Sequence, residues 1–178
     1  EMSASLVGSE MCIRDSFYYA KGGDVAQILY AMKYHARKKL CCRMGEYMAG
    51  ELCDSGFFEG IDYLLPVPLF SSRLRQRGYN QSELLARGIS RVTGIPLCTD
   101  AVVRSRNNAT QTHKSGYARW QNVDRLFLPT PHAANLHDKH ILLVDDVLTT
   151  GATLVACADA LLGVENIKIS VLTLAWAR

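Results

Sequence analysis

The sequence predicts an α/β fold: a mostly parallel sheet with helices on both faces, plus a helical N-terminal segment. Three observations carry this. Candidate strands from Ile61 to Val67, Leu97 to Val103, Lys139 to Val144 and Ile167 to Leu174 alternate with helical stripes, the pattern of strands joined by crossover helices. Ile141-Leu142-Leu143-Val144 is apolar at every position, as in a strand buried on both faces of a parallel sheet. The chain of 178 residues shows no repeat or low-complexity linker, so it is read as one core.

Taken in order, residues 1–16 fit neither a helix nor a strand pattern and are expected to be a non-native or disordered tail. Residues 17–60 are expected to be helical and to serve as a hood over the remainder. Asp24 can cap a helix carrying Val25, Ile28, Leu29 and Met32, and a second stripe runs through Leu40, Met44, Met48 and Leu52. Residues 61–178 form the core. Its first strand stops at Pro66 and Pro68, because proline cannot donate to a ladder. Asn80 with Glu83 resembles a capping box for a helix through Leu84, Leu85, Ile89 and Val92, which ends at Gly94 and Pro96. The polar segment from Ser105 to Gly116 reads as a loop, with a short helix over residues 117–122. A helix through Leu154, Ala158, Leu161 and Leu162 stops at Gly163.

Composition narrows the function classes. No uninterrupted apolar stretch is long enough to span a membrane, and residues 1–20 do not read as a signal peptide. Six cysteines show no Cys-x2-Cys spacing, so neither a zinc site nor a disulfide framework is expected, and a cytoplasmic location with reduced thiols is. His132, His137 and His140 lack an acidic partner at ligand spacing, so no protein metal site is expected. The net charge is only +3, but nine Lys or Arg residues face two acids between Arg73 and Arg119. Such a segment suits a polyanionic substrate or nucleic acid.

The most informative stretch is Leu142-Leu143-Val144-Asp145-Asp146-Val147-Leu148-Thr149-Thr150-Gly151-Ala152-Thr153. A buried strand delivers two adjacent carboxylates to the sheet's carboxyl edge, where parallel sheets bind ligands. Adjacent carboxylates repel unless a cation, a diol or a basic group compensates them. The following hydroxyls, the backbone N–H groups and the start of a helix suit a phosphate monoester. A nucleotide hydrolase would need a Gly-x4-Gly-Lys-Ser/Thr loop upstream, which the sequence does not contain.

Asp145-Asp146-Val147-Leu148-Thr149-Thr150-Gly151-Ala152-Thr153 resembles the phosphoribosyl pyrophosphate (PRPP) motif of type I phosphoribosyltransferases. Two further blocks, Leu65-Pro66-Val67-Pro68-Leu69 and Arg73-x-Arg75-x-Arg77-Gly78-Tyr79-Asn80-Gln81-Ser82, look like the ComF branch of that superfamily, a group associated with DNA uptake. The resemblance implies a type I phosphoribosyltransferase fold. It also implies catalytic Asp145 and Asp146 on the ribose hydroxyls, and a 5′-phosphate on Thr149, Thr150, Gly151, Ala152 and Thr153. Pyrophosphate would fall to Val67, Pro68, Arg73, Arg77 and Arg106, with Arg104, Lys114 and Arg119 as further candidates. Residues 105–116 would be a mobile lid. Prolines remove amide donors from the loop at Val67, and the arginines could supply the missing charge, sharing one face if the segment is extended. Solvated basic turns remain the alternative for them, and Tyr79 and Asn80 either touch ligand or set the helix start.

The implied cofactor is Mg²⁺, held largely by PRPP and water. The implied partners are PRPP and an unidentified nitrogen acceptor, in DNA uptake or nucleotide salvage, with a homodimer left open and no membrane. A binding protein without turnover, or a partner of single-stranded DNA or of the competence machinery, is the competing class. The four-cysteine zinc module of many ComF-type proteins has no counterpart in this sequence.

Overall fold

The computed structural model describes residues 11–19 by their backbone, and residues 24–34, 37–105 and 126–177. Four parallel strands form the sheet, in the order β1 (Met11–Tyr19), β6 (Lys168–Ala177), β5 (His140–Leu148), β2 (Tyr63–Pro66). Between them run α1 (Asp24–Tyr34), α2 (Lys38–Cys53), α3 (Ser71–Arg77), α4 (Gln81–Thr93) and α5 (Ala152–Asp159). A separate antiparallel pair, β3 (Val102–Arg104) and β4 (Phe127–Pro129), precedes a 3-10 turn at Pro131–Leu136.

Alternation along the buried strands builds two cores. Ile141 and Leu143 of β5, with Ile169 and Val171 of β6, face Leu154, Cys157 and Ala158 of α5 and Phe127 of β4. Leu142, Val144, Leu172 and Leu174 face Leu29 and Met32 of α1, Met48 and Ala49 of α2, and Leu85 and Ile89 of α4. Helices therefore cover both faces, as the apolar β5 run requires. The helices expected to form a hood are seated on the central sheet and share its core. Where α2 crosses α4, a Cβ on Gly45 would lie 2.0 Å from the Leu85 carbonyl oxygen, and one on Gly88 would lie 2.1 Å from that of Cys42. The two backbones touch where no side chain fits.

Several boundaries differ from the sequence reading. Met11–Ser16 belongs to β1 rather than to a structureless tail. Without it that edge of β6 is unpaired, and the ladder it offers outweighs weak local propensity. The strand expected from Leu97 to Val103 is reduced to a single bridge from Leu97 to Leu64, and its end turns away to pair with β4. The segment Arg73 to Arg77 is helical, not extended. α4 begins as expected at Asn80, whose Oδ1 accepts from the Ser82 N–H, but Glu83 pairs with Arg87 instead of closing a capping box. The expected helix over residues 117–122 and nearly all of the expected lid lie outside the described residues. The five described cysteines are free thiols, and no described helix is long and apolar enough to cross a membrane.

Candidate functional site

β5 continues past the apolar run through both carboxylates to Leu148, and its alternation slips there. Leu143 and Leu148 belong to one core, while Val144 and Val147 serve the other, where strict alternation would separate Val144 from Val147. In β6 the matching residues Leu174 and Ala175 are consecutive members of a single core. Because of this slip Asp145 and Asp146, neighbours on one strand, both open onto the same cavity of ≈ 240 Å³ at the sheet's carboxyl edge.

Each carboxylate is buried and incompletely matched. Asp145 Oδ1 accepts from Ser82 Oγ at 2.8 Å and from the Asp146 N–H at 2.9 Å. Burial, and then the adjoining Asp146 charge, push the Asp145 carboxyl up to about 7, against the Ser82 bond and the Lys33 charge. Lys33 Nζ of α1 stands 2.8 Å from Asp146 Oδ2. That is an ion pair at charge-assisted hydrogen-bond distance on an otherwise unmatched buried oxygen.

Three arginines line the same cavity. In helical α3, Arg73 and Arg77 stand one turn apart and both line the cavity, whereas Arg75 points elsewhere. The Arg77 guanidinium donates to Gln81 Oε1 and lies 5.8 Å from the Tyr34 ring centroid. Arg104, at the end of β3, lies 5.2 Å from the Phe127 ring centroid, and its buried Nε has no partner. Burial, then Arg73, lowers its pKa while Asp145 opposes the shift. Four cations thus surround two carboxylates, an excess of positive charge suited to a polyanion.

The loops are set by local bonds. Gly78, at φ 77°, ends α3 in the left-handed region and turns the chain into Tyr79 and Asn80. Asn80 Nδ2 donates to the Val67 carbonyl at 3.0 Å, joining the proline loop to α4. The Val67 N–H donates to the Val144 carbonyl at 2.9 Å, and Pro68 has none. Val67 and Pro68 therefore form a wall of the cavity and present no free amide to it. Gly151, at φ 78°, occupies the left-handed position that starts α5. Thr149 and Thr153 line the cavity. Thr150 and Ala152 are exposed beside it, with Thr150 Oγ1 accepting from the Ala152 N–H at 3.4 Å.

Of the expected site residues, the structure brings together Asp145, Asp146, Thr149, Thr153, Val67, Pro68, Arg73 and Arg77 around the cavity. Thr150, Gly151 and Ala152 shape the adjoining loop. Arg106, Lys114 and Arg119 lie outside the described residues. Sequence reasoning missed Lys33, Tyr34, Gln81 and Ser82. Ser82 had a local signal, two residues past the cap at Asn80, but nothing in the sequence points from Lys33 to Asp146.

Tyr79 is not among the residues lining the cavity, and its hydroxyl is bonded to α1 rather than to the start of α4. It is buried, and its hydroxyl donates to the Met32 carbonyl at 2.5 Å, satisfying a C-terminal carbonyl of α1 beside Lys33. Tyr79→Phe is expected to cost about 1 kcal/mol in chemical denaturation by leaving that carbonyl unsatisfied. A melt unchanged from wild-type would show that the bond does not hold α1.

The model of the phosphoribosyl transferase domain matches residues 79–177, more than half of the chain. Competence protein F of Haemophilus influenzae is 38% identical over 108 residues, covering 60% of this chain and 47% of that protein. DNA utilization protein YhgH of Escherichia coli strain K12 is 30% identical over 142 residues, covering 78% and 61%. Competence protein ComFC of Bacillus subtilis is 35% identical over 99 residues, covering 56% and 38%. The chain spans about half the length of these relatives. With a parallel sheet whose β5 edge carries the paired carboxylates and hydroxyl loop inside the matched region, the chain belongs to the phosphoribosyl transferase domain family, as a ComF-type member.

Proposed function

We propose that the cleft binds PRPP with Mg²⁺. The observation that carries this reading is a buried, adjacent carboxylate pair, held at one oxygen by Lys33, that shares one cavity with Arg73, Arg77 and Arg104. Asp145 and Asp146 accept the ribose hydroxyls. Thr149 and Thr153, with the N-terminus of α5 beyond Gly151, hold the 5′-phosphate. Arg73, Arg77 and Arg104 hold the pyrophosphate.

The donor set fits Mg²⁺ in one form. Asp146 Oδ2 is a buried oxygen held by the Lys33 ion pair alone, but no group of three metal-binding side chains occurs among the described residues. Such a site relies on ligand phosphates and water for most of its coordination. When bound, the ion would neutralise charge on the leaving pyrophosphate. Transfer would break the C1–O bond to pyrophosphate, which leaves with the electron pair, and form a C1–N bond to a nitrogen acceptor whose proton passes to a carboxylate or to water. The chain's own part is to orient ribose, bind both anionic ends and exclude water.

A binding role without turnover is the second reading, favoured by the lack of amide donors at Val67 and Pro68. By analogy with relatives named for competence and DNA utilization, we place either role in DNA handling, with the reduced cysteines suiting the cytoplasm.

Thermal shift tests the ligand. PRPP with Mg²⁺ at a hundred times its Kd contributes about 2.7 kcal/mol, raising the melting temperature by roughly 5–11 °C for a chain of this size. Ribose 5-phosphate or pyrophosphate alone should give less. No shift at saturating concentrations would count against the assignment. Pyrophosphate release across a panel of nucleobases then separates the two roles: release supports transfer, and binding without release supports the second reading.

A further inference from the structure

We infer that Lys33 is a tethered counter-cation that closes the carboxylate pair to free divalent metal and yields its place only to the phosphorylated ligand. Three contacts hold the end of α1 over the cleft. The Tyr79 hydroxyl caps the Met32 carbonyl, the Arg77 guanidinium lies against the Tyr34 ring, and Lys33 Nζ sits 2.8 Å from Asp146 Oδ2. The ammonium thus sits on a buried carboxylate oxygen that a hard cation would otherwise take.

Electrostatics explains the selectivity. Two buried carboxylates without Lys33 would attract a divalent ion, but with the ammonium in contact a second cation meets repulsion in a partly desolvated site. A sugar phosphate that carries pyrophosphate changes the balance. Its anionic end draws the flexible lysine stem away from Asp146, while its hydroxyls and phosphate oxygens complete the coordination of an incoming ion. Lys33 itself is about a quarter exposed, so its side chain keeps an opening to solvent. Metal then enters with ligand and not before it. The inference rests on the PRPP reading only for the identity of what displaces the lysine.

The test is titration of the ligand-free full chain with Mn²⁺ alone, followed by electron paramagnetic resonance. Wild-type is expected to bind weakly. Lys33→Met keeps the apolar stem and removes the charge, and should bind at least about tenfold more tightly, a free-energy change of about 1.4 kcal/mol. Lys33→Arg should exclude the ion as wild-type does. Adding Asp146→Asn to Lys33→Met should abolish the gain. Circular dichroism melts of each variant confirm that a folded protein is being titrated. Equal Mn²⁺ affinity in wild-type and Lys33→Met, both folded, would overturn the inference, as would a gain that survives Asp146→Asn. A failed PRPP titration with an intact Mn²⁺ difference would instead overturn the ligand assignment alone.

Discussion

Replacing Asp145 with Asn is expected to stabilise the ligand-free protein above pH 7 while weakening PRPP binding by about 10- to 100-fold. Folding raises this carboxyl from its ordinary 3.8 to about 7, chiefly through burial and secondly through Asp146. Between those values the folded chain holds more protons than the unfolded one. Its stability therefore falls as pH rises through this window, and the whole deficit is present above about pH 7. Asn removes the charge and keeps an oxygen to accept from Ser82 and from the Asp146 N–H. Part of the gain is lost because the new amide N–H groups need partners. A net gain of about 2 kcal/mol, or roughly 4–8 °C in melting temperature at pH 8, is the expected size. The variant should also lose much of the wild-type decline between pH 4 and pH 7. A variant less stable than wild-type at pH 8 would show that the ionised carboxylate is well satisfied without ligand. Opposite effects on stability and binding are what a site prepared for a ligand should show.

The second large effect concerns the helices that bring Lys33 and Tyr34 to the cleft. Gly88→Ala is expected to lower stability by about 3 kcal/mol or more, although Gly to Ala within a helix ordinarily stabilises. The new Cβ would stand 2.1 Å from the Cys42 carbonyl oxygen and 2.8 Å from the Glu46 nitrogen. Both are backbone atoms that no side-chain rotation can move aside. α2 and α4 must separate, loosening Met48, Leu85 and Ile89 in the core between the helices and the sheet. Urea denaturation measures the loss, expected to correspond to a drop of roughly 6–12 °C or more. A change within about 0.5 kcal/mol of wild-type would contradict the close crossing.

Local features were legible in the sequence because their physics is local. The run Leu142 to Val144 announced a doubly buried strand, Asn80 announced the start of α4, and Gly151 marked the turn into α5. The prolines at 66 and 68 placed the end of β2. Features that depend on distant partners were not legible. Residues Arg73, Arg75 and Arg77 have the same spacing in an extended chain or a helix, and only the α3 fold selects Arg73 and Arg77 for the cleft. The slip in β5 alternation at Asp145 and Asp146 is matched in β6, which no single segment encodes. Gly45 and Gly88 look like ordinary helix weaknesses until α2 and α4 meet. Lys33 acquires its role only when α1 is seated over β5, and β1 forms because the edge of β6 is there to receive it.

Calorimetric titration with PRPP, in the presence and absence of Mg²⁺, tests the central claim most directly when wild-type is compared with Asp145→Asn/Asp146→Asn. The account predicts saturable one-to-one binding by wild-type, strengthened by Mg²⁺, and loss of that binding in the folded double variant. Absence of PRPP binding by wild-type, or equal binding by the double variant, would contradict it.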